Sequence, residues 1–271
     1  MEVFDCHTHP TFNSSMFSDA AKSNNIDYSE SGLLREMEKN GVAGCMAIGL
    51  DESSNRCVAE LANRNRNILP IYGVETQTIE KSYAGLKKLA ASGVFRGIKL
   101  YLGYENVYPF SKRLDKFYRL AENNDMTVIF HTGDTWQSIK RSKQGSMVKY
   151  SHPLNIDEVA TTHPEMKIII AHSGNPWTED TAEIVYKNKN CYADISGWFL
   201  GKPQNDSMDL MKDKLKFLVR FGGKDKILFG TDWPLAGMHD YINFVSECGL
   251  TSNEIEHVLY KNAKRLFFQN S

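Results

Sequence analysis

Eight short apolar runs alternate with longer amphipathic stretches from one end of this chain to the other. The runs are Val3–Cys6, Gly44–Ile48, Ile68–Val74, Gly97–Tyr101, Met126–Phe130, Lys167–Ala171, Cys191–Ile195 and Lys226–Phe229. Between them lie helix-like segments: Gly32–Asn40, Ser53–Asn63, Thr78–Ser92, Ser111–Asn123, Ile156–Thr162, Thr178–Lys187, Ser207–Arg220 and Thr251–Phe268, with a further short one at His239–Cys248. Strict alternation of strand and helix predicts a parallel sheet. Eight repeats of it predict a closed (β/α)8 barrel rather than an open sheet.

The length of 271 residues suits one such barrel, and no Gly/Ser/Pro-rich linker divides it. One domain over residues 1–271 is therefore expected. Two stretches exceed ordinary connections, Pro10 to Ser31 after the first strand and Thr132 to Pro153 after the fifth. Both fall at C-terminal strand ends, where a barrel builds its site.

A formal net charge of -1 offers no global field for nucleic acid or an anionic membrane. No apolar run is long enough to span a bilayer. The start Met1-Glu2-Val3-Phe4-Asp5 lacks the basic and apolar regions of a secretory leader. The five cysteines are scattered, with no C-x-x-C pair, which predicts a reduced, cytoplasmic setting. The expected partner is a small-molecule substrate, and assembly into a homo-oligomer is left open.

The first run continues Asp5-Cys6-His7-Thr8-His9-Pro10. Side chains alternate along an extended chain, so His7 and His9 point the same way and can bind one ion. The fifth and sixth runs each end in a histidine, His131 and His172, followed by a small polar residue and a glycine. The eighth ends Gly230-Thr231-Asp232-Trp233-Pro234. In a barrel these ends converge on one opening. An aspartate among imidazoles is a donor set that zinc accepts well.

The order of motifs resembles the amidohydrolase superfamily, in particular its amidohydrolase-related branch. The matching elements are D-C-H-T-H-P, G-I-K-L, V-I-F-H-T-G, S-H-P-L-N-I-D-E-V-A, K-I-I-I-A-H-S-G, D-I-S-G, I-L-F-G-T-D-W-P and Y-K-N-A-K-R-L-F. They span essentially the whole chain. The resemblance implies a divalent metal, preferably zinc, with one ion favoured over two. It implies that His7, His9, His131 and Asp232 are ligands. Asp232 also handles the proton of a bound water. His172 lies beside the water or substrate, or ligates a second ion. In two-metal members the lysine matching Lys99 is carboxylated and bridges the ions; otherwise Lys99 would bind a substrate carboxylate as a point charge.

The resulting expectation is a metal-dependent hydrolase that attacks an ester, lactone or amide carbonyl, since a zinc-type ion lowers the pKa of bound water from about 15.7 to roughly 7. The first alternative is non-oxidative decarboxylation of an unsaturated or aromatic acid. Such members of the branch use an additional arginine, and neither Arg96 nor Arg141 sits at a convincing position in the sequence. The second is a barrel that binds metal or ligand without turnover, against which the complete donor set argues. Around the site, Asp5 is expected to face the barrel interior and orient a ligand histidine. Glu75, His152 and His239 are weaker candidates for the surroundings, and His163 and His257 read as surface residues. Tyr101, Tyr104, Trp136, Trp177 and Trp198 are candidate pocket walls, with core packing as the alternative.

Overall fold

The computed structural model describes residues 1–136, 139, 141–202 and 205–268. Its strands are β1 (Val3–Thr8), β2 (Val42–Ile48), β3 (Ile68–Val74), β4 (Gly97–Leu100), β5 (Thr127–His131), β6 (Ile168–Ala171), β7 (Cys191–Asp194) and β8 (Ile227–Leu228). They pair in parallel in that order within one eight-stranded sheet. The ring closes past Leu228: the Cys6 amide donates to the Phe229 carbonyl at 2.8 Å, that of Asp232 to His7 at 2.8 Å and that of His9 to Trp233 at 2.7 Å. The expected (β/α)8 barrel is the fold observed.

Strand ends differ from the expected ones in an instructive way. β1 runs on to Thr8 and β5 to His131, so His7 and His131 belong to the sheet itself. β8 is only two residues long. The chain turns at Asp232, a non-glycine residue held at φ 62°.

Two apolar layers hold the barrel. Phe4, Cys6, Met46, Ile48, Ile129 and Ile169 fill its interior, sealed by Ala263 and Leu266 of the last helix. The opposite faces of the strands pack against the surrounding helices, with Ile98, Leu100, Val128, Phe130, Ile168 and Ile170 in that outer layer. Burying a side chain of this size contributes roughly 1.5–3 kcal/mol. Asn262, fully buried, gives the N-A-K-R-L-F motif its role. Its amide donates to the Lys224 carbonyl at 2.6 Å and the Ile227 carbonyl at 2.7 Å, tying the last helix to β8.

The two long connections are not alike. The first contains a helix, Ser15–Ser23, where the sequence pattern predicts a long loop. Helix Glu30–Lys39 follows, capped by the Ser29 hydroxyl, which accepts from the Gly32 amide. The second connection holds one 3-10 turn, Val148–Tyr150, and its positions 137, 138 and 140 lie outside the described residues. No helix is long and apolar enough to cross a membrane, among the described residues.

Candidate metal centre

At the C-terminal mouth of the barrel, four imidazoles and two carboxylates meet. One inserted residue in β1 decides how. Asp5 pairs with Cys45 and Thr8 with Ala47, so three steps along β1 match two along β2. This bulge breaks the alternation of side chains. Cys6 stays in the inner plug, while His7 meets Lys99 and Asp194. The rings of His7 and His9 lie 5.3 Å apart.

Each histidine has an acceptor beside one ring nitrogen. His7 Nδ1 is 2.9 Å from Asp194 Oδ2, and His9 Nδ1 is 3.1 Å from the Ile48 carbonyl. His131 Nε2 is 2.9 Å from the Asp134 carbonyl, and His172 Nδ1 is 3.1 Å from the Ser196 carbonyl. A neutral imidazole has one N–H, and these acceptors assign it. The other nitrogen of every ring is then a lone pair. Burial, aided by the charge of Lys99, pushes His7 down to about 4. Burial also pushes His172 down to about 3 and His131 well below its ordinary value. All three rings are neutral at pH 7.

These lone pairs face other acceptors. His9 Nε2 is 3.2 Å and His7 Nε2 is 3.6 Å from Asp232 Oδ1, which is buried without a hydrogen-bond donor among the described residues. Burial opposes ionisation of Asp232, but the positive charge that His7 and His172 gain once protonated outweighs it and holds the carboxyl well below the usual range. A buried carboxylate oxygen that accepts no hydrogen bond from the described residues and faces two nitrogen lone pairs is a place for a cation. Ligands about 2.0–2.2 Å from a tetrahedral zinc stand roughly 3.3 Å apart, close to the separations found. The residues fit a divalent metal.

The structure does not bring His131 into that trio. Its Nδ1 lies 3.0 Å from His172 Nε2, so the two form a second pair of facing lone pairs. His7, His9 and Asp232 make one group of mutually close donor atoms; His7, His172 and Asp194 make another. Lys99 is fully buried on β4, with Nζ 3.2 Å from His7 Nε2. Burial pushes its amine down to about 8.

Backbone strain collects here. His172, Ser173 and Asp232 all have positive φ, at 60°, 45° and 62°. Such conformations cost of order 1–3 kcal/mol each and persist where surrounding structure enforces them. Gly197 also has positive φ, 66°, and a Cβ there would meet His172 Nδ1 at 2.7 Å and Asp232 Oδ2 at 3.3 Å. Only glycine leaves room beside both groups.

Above the cluster opens a pocket of about 490 Å³ lined by His9, His131, His172 and Asp232. Its walls include Phe17, Tyr101, Tyr104, Trp136, Trp198 and Phe199. Phe17 comes from the unforeseen helix Ser15–Ser23 and stacks on His9 at 4.9 Å. Arg141 also lines the pocket, contrary to the sequence reading. Its guanidinium lies 4.4 Å from the Tyr101 ring centre, donates to Glu105 at 3.0 Å and donates to the Leu50 carbonyl at 2.6 Å.

Other expected neighbours lie elsewhere. Asp5 does not orient a histidine ring. Its carboxylate accepts from the His7 and Thr231 amides at 3.0 and 3.1 Å and from the Thr231 hydroxyl at 2.6 Å. It therefore clamps β1 to the turn after β8. The ring of His7 is oriented by Asp194 instead, the first residue of D-I-S-G, which no local sequence signal marks as a partner of β1. His152 lies against Trp177, ring centres 4.5 Å apart and tilted by 40°, and faces Asp180, and neither ring lines the pocket. His239 is exposed beside Asn243, Arg96 is exposed, and Glu75 is not in the lining.

The family profile described as amidohydrolase matches residues 4–269. A TIM-barrel protein from Bordetella bronchiseptica superposes with a TM-score of 0.74 at 20% identity, covering 98% of both chains. An amidohydrolase from Burkholderia multivorans with bound zinc gives 0.72 at 14%, covering 98% of this chain and 99% of that one. A dihydroxybenzoic acid decarboxylase from Polaromonas sp. JS666, with bound manganese and the inhibitor 2-nitroresorcinol, gives 0.70 at 15%, covering 100% and 98%. At these identities the superpositions speak for the shared barrel, while the profile match speaks for kinship. Spanning nearly its whole length with that profile, the chain belongs to the amidohydrolase family, whose metal-dependent enzymes include hydrolases and decarboxylases.

Proposed function

We propose that the protein is a metal-dependent hydrolase acting on an ester, lactone or amide carbonyl of a small molecule. The observation that carries this reading is Asp232 Oδ1, without a hydrogen-bond donor among the described residues, facing His7 Nε2 and His9 Nε2 beneath an aromatic-walled pocket. His7, His9 and Asp232 would hold the ion, with His131 and His172 beside it. Bound there, a zinc-type ion supplies Lewis acidity and makes water a better nucleophile at neutral pH. Asp232 Oδ2, kept accessible by Gly197, accepts a proton from the attacking water and returns it to the leaving group. His172 Nε2 orients that water as a hydrogen-bond acceptor. The aromatic walls exclude bulk solvent and hold the apolar part of the substrate.

Elemental analysis tests the metal and the role of Lys99 together. Protein purified without chelator and offered zinc is expected to carry about one equivalent. Lys99→Ala should leave that figure unchanged if the lysine is unmodified. A fall from two equivalents to one would reveal a carboxylated bridge between two ions. Wild-type protein that takes up no zinc or similar ion would overturn the assignment.

Arg141 favours a second reading, non-oxidative decarboxylation of a small aromatic acid. A planar guanidinium stacked on Tyr101 at the pocket wall suits a flat carboxylate. Arg141→Met should then raise KM for the acid on the order of tenfold or more, since hydrogen bonds to charged groups contribute about 1.5–3 kcal/mol. Carbon dioxide release from aromatic acids, with no turnover of esters, lactones or amides, would replace hydrolysis by this reading.

A further inference from the structure

We infer that Asp194 is a positioning residue that sets the tautomer of His7 directly and, through the Ser196 hydroxyl, reinforces for His172 the tautomer that the Ser196 carbonyl selects. The inference rests on the reading that His7 Nε2 is a metal ligand. It starts from a hydrogen-bond count at the end of β7. Asp194 is fully buried. Its Oδ1 accepts from the His172 amide at 3.0 Å, the Ser196 amide at 3.0 Å and the Ser196 hydroxyl at 2.5 Å. Its Oδ2 faces His7 Nδ1 at 2.9 Å.

A hydroxyl has one proton and two lone pairs. Ser196 Oγ directs its proton to Asp194, so only acceptor capacity remains. Two ring nitrogens face it, His7 Nδ1 at 3.0 Å and His172 Nδ1 at 2.9 Å. Both must therefore present N–H at Nδ1. The other side of His7 agrees independently. Lys99 Nζ, a donor without acceptor capacity when charged, lies 3.2 Å from Nε2 and requires a lone pair there. One carboxylate thus leaves Nε2 of both rings unprotonated, His7 beside Lys99 Nζ and Asp232 Oδ1, and His172 beside His131 Nδ1.

This arrangement makes Asp194→Asn an informative variant. The three donors at Oδ1 would hold the amide oxygen in that place. The amide NH2 would then replace Oδ2 and meet His7 Nδ1–H, donor against donor. Relief comes by moving the imidazole proton to Nε2, which removes the nitrogen that binds metal. A neutral isostere that reverses a histidine tautomer is known to be costly in catalytic sites. Ser196→Ala is the counterpart. It keeps the His7–Asp194 bond, and the Ser196 carbonyl at 3.1 Å still accepts from His172.

The experiment combines zinc affinity, measured by competition with a chelator, and nitrogen-15 spectra of histidine-labelled, metal-stripped protein. Asp194→Asn is expected to weaken zinc binding about 10–100-fold, and Ser196→Ala by less than about tenfold. The spectra should show His7 protonated at Nδ1 in the wild type and at Nε2 in Asp194→Asn. Unchanged zinc affinity in a folded Asp194→Asn protein whose His7 keeps its Nδ1 proton would overturn the inference. If that variant does not fold, the wild-type spectrum decides: His7 protonated at Nε2 overturns it, and at Nδ1 upholds it. Wild-type protein that binds no metal defeats the metal reading instead, and the spectra still judge the tautomers.

Discussion

Asp232→Asn is expected to lower kcat on the order of a thousandfold, because positioned acid–base groups contribute about 10²–10⁴ in rate. The barrel should remain folded. Asp232 is at the rim of the inner plug, and no apolar layer depends on its charge. Its Oδ1 has no hydrogen-bond partner among the described residues, so replacement breaks none of their hydrogen bonds there. What changes is function: the amide cannot accept a proton, and it removes the anion that faces the His7 and His9 lone pairs. Zinc content measured on the same sample separates the two losses. Full zinc with lost turnover places the effect on proton transfer. Lost zinc places it on the ligand set. Wild-type turnover on any substrate identified would remove Asp232 from the mechanism.

Asp5→Ala should be strongly destabilising. The carboxylate is fully buried and satisfies three donors, the His7 amide, the Thr231 amide and the Thr231 hydroxyl. Leaving a buried donor unsatisfied costs about 1–3 kcal/mol. Three of them, relaxing partly, add to about 4 kcal/mol. Asp5→Asn should cost much less, about 1 kcal/mol, since its oxygen still accepts from both amides. Burial has already pushed Asp5 up to about 7, so the folded protein tolerates a neutral group at this position. Urea unfolding of metal-free proteins, followed by circular dichroism, measures both. Equal midpoints for wild type and Asp5→Ala would show that the clamp between β1 and the turn after β8 contributes nothing.

The barrel was legible because its signal is repetitive. Eight apolar runs of strand length, separated by helix-length stretches, leave few topologies open, and errors of two residues at an end do not alter the reading. The strand-end residues His131, His172 and Asp232 were legible for the same reason, since a parallel barrel brings the C-terminal ends of its strands to one mouth. Helix Ser15–Ser23 was not legible. Its buried residues are only Phe17 and Ala21, one helical turn apart within a serine-rich stretch, and a single such pair carries no periodicity.

The sequence by itself determined the strand order, the closed ring and the level at which chemistry-bearing side chains gather, because these follow from local periodicity and chain connectivity. Only the tertiary structure decided what each polar side chain touches. The bulge between Asp5 and Thr8 takes Asp5 out of phase with His7 and turns an expected ring-orienting carboxylate into a backbone clamp. Asp194 takes over the ring of His7 across 187 positions of sequence, a distance no local pattern encodes. Arg141 reaches the pocket because Glu105 and the Leu50 carbonyl, far apart in the chain, hold its guanidinium over Tyr101. Hydrogen bonds depend on ångström-scale direction, and that direction exists only once the barrel has closed.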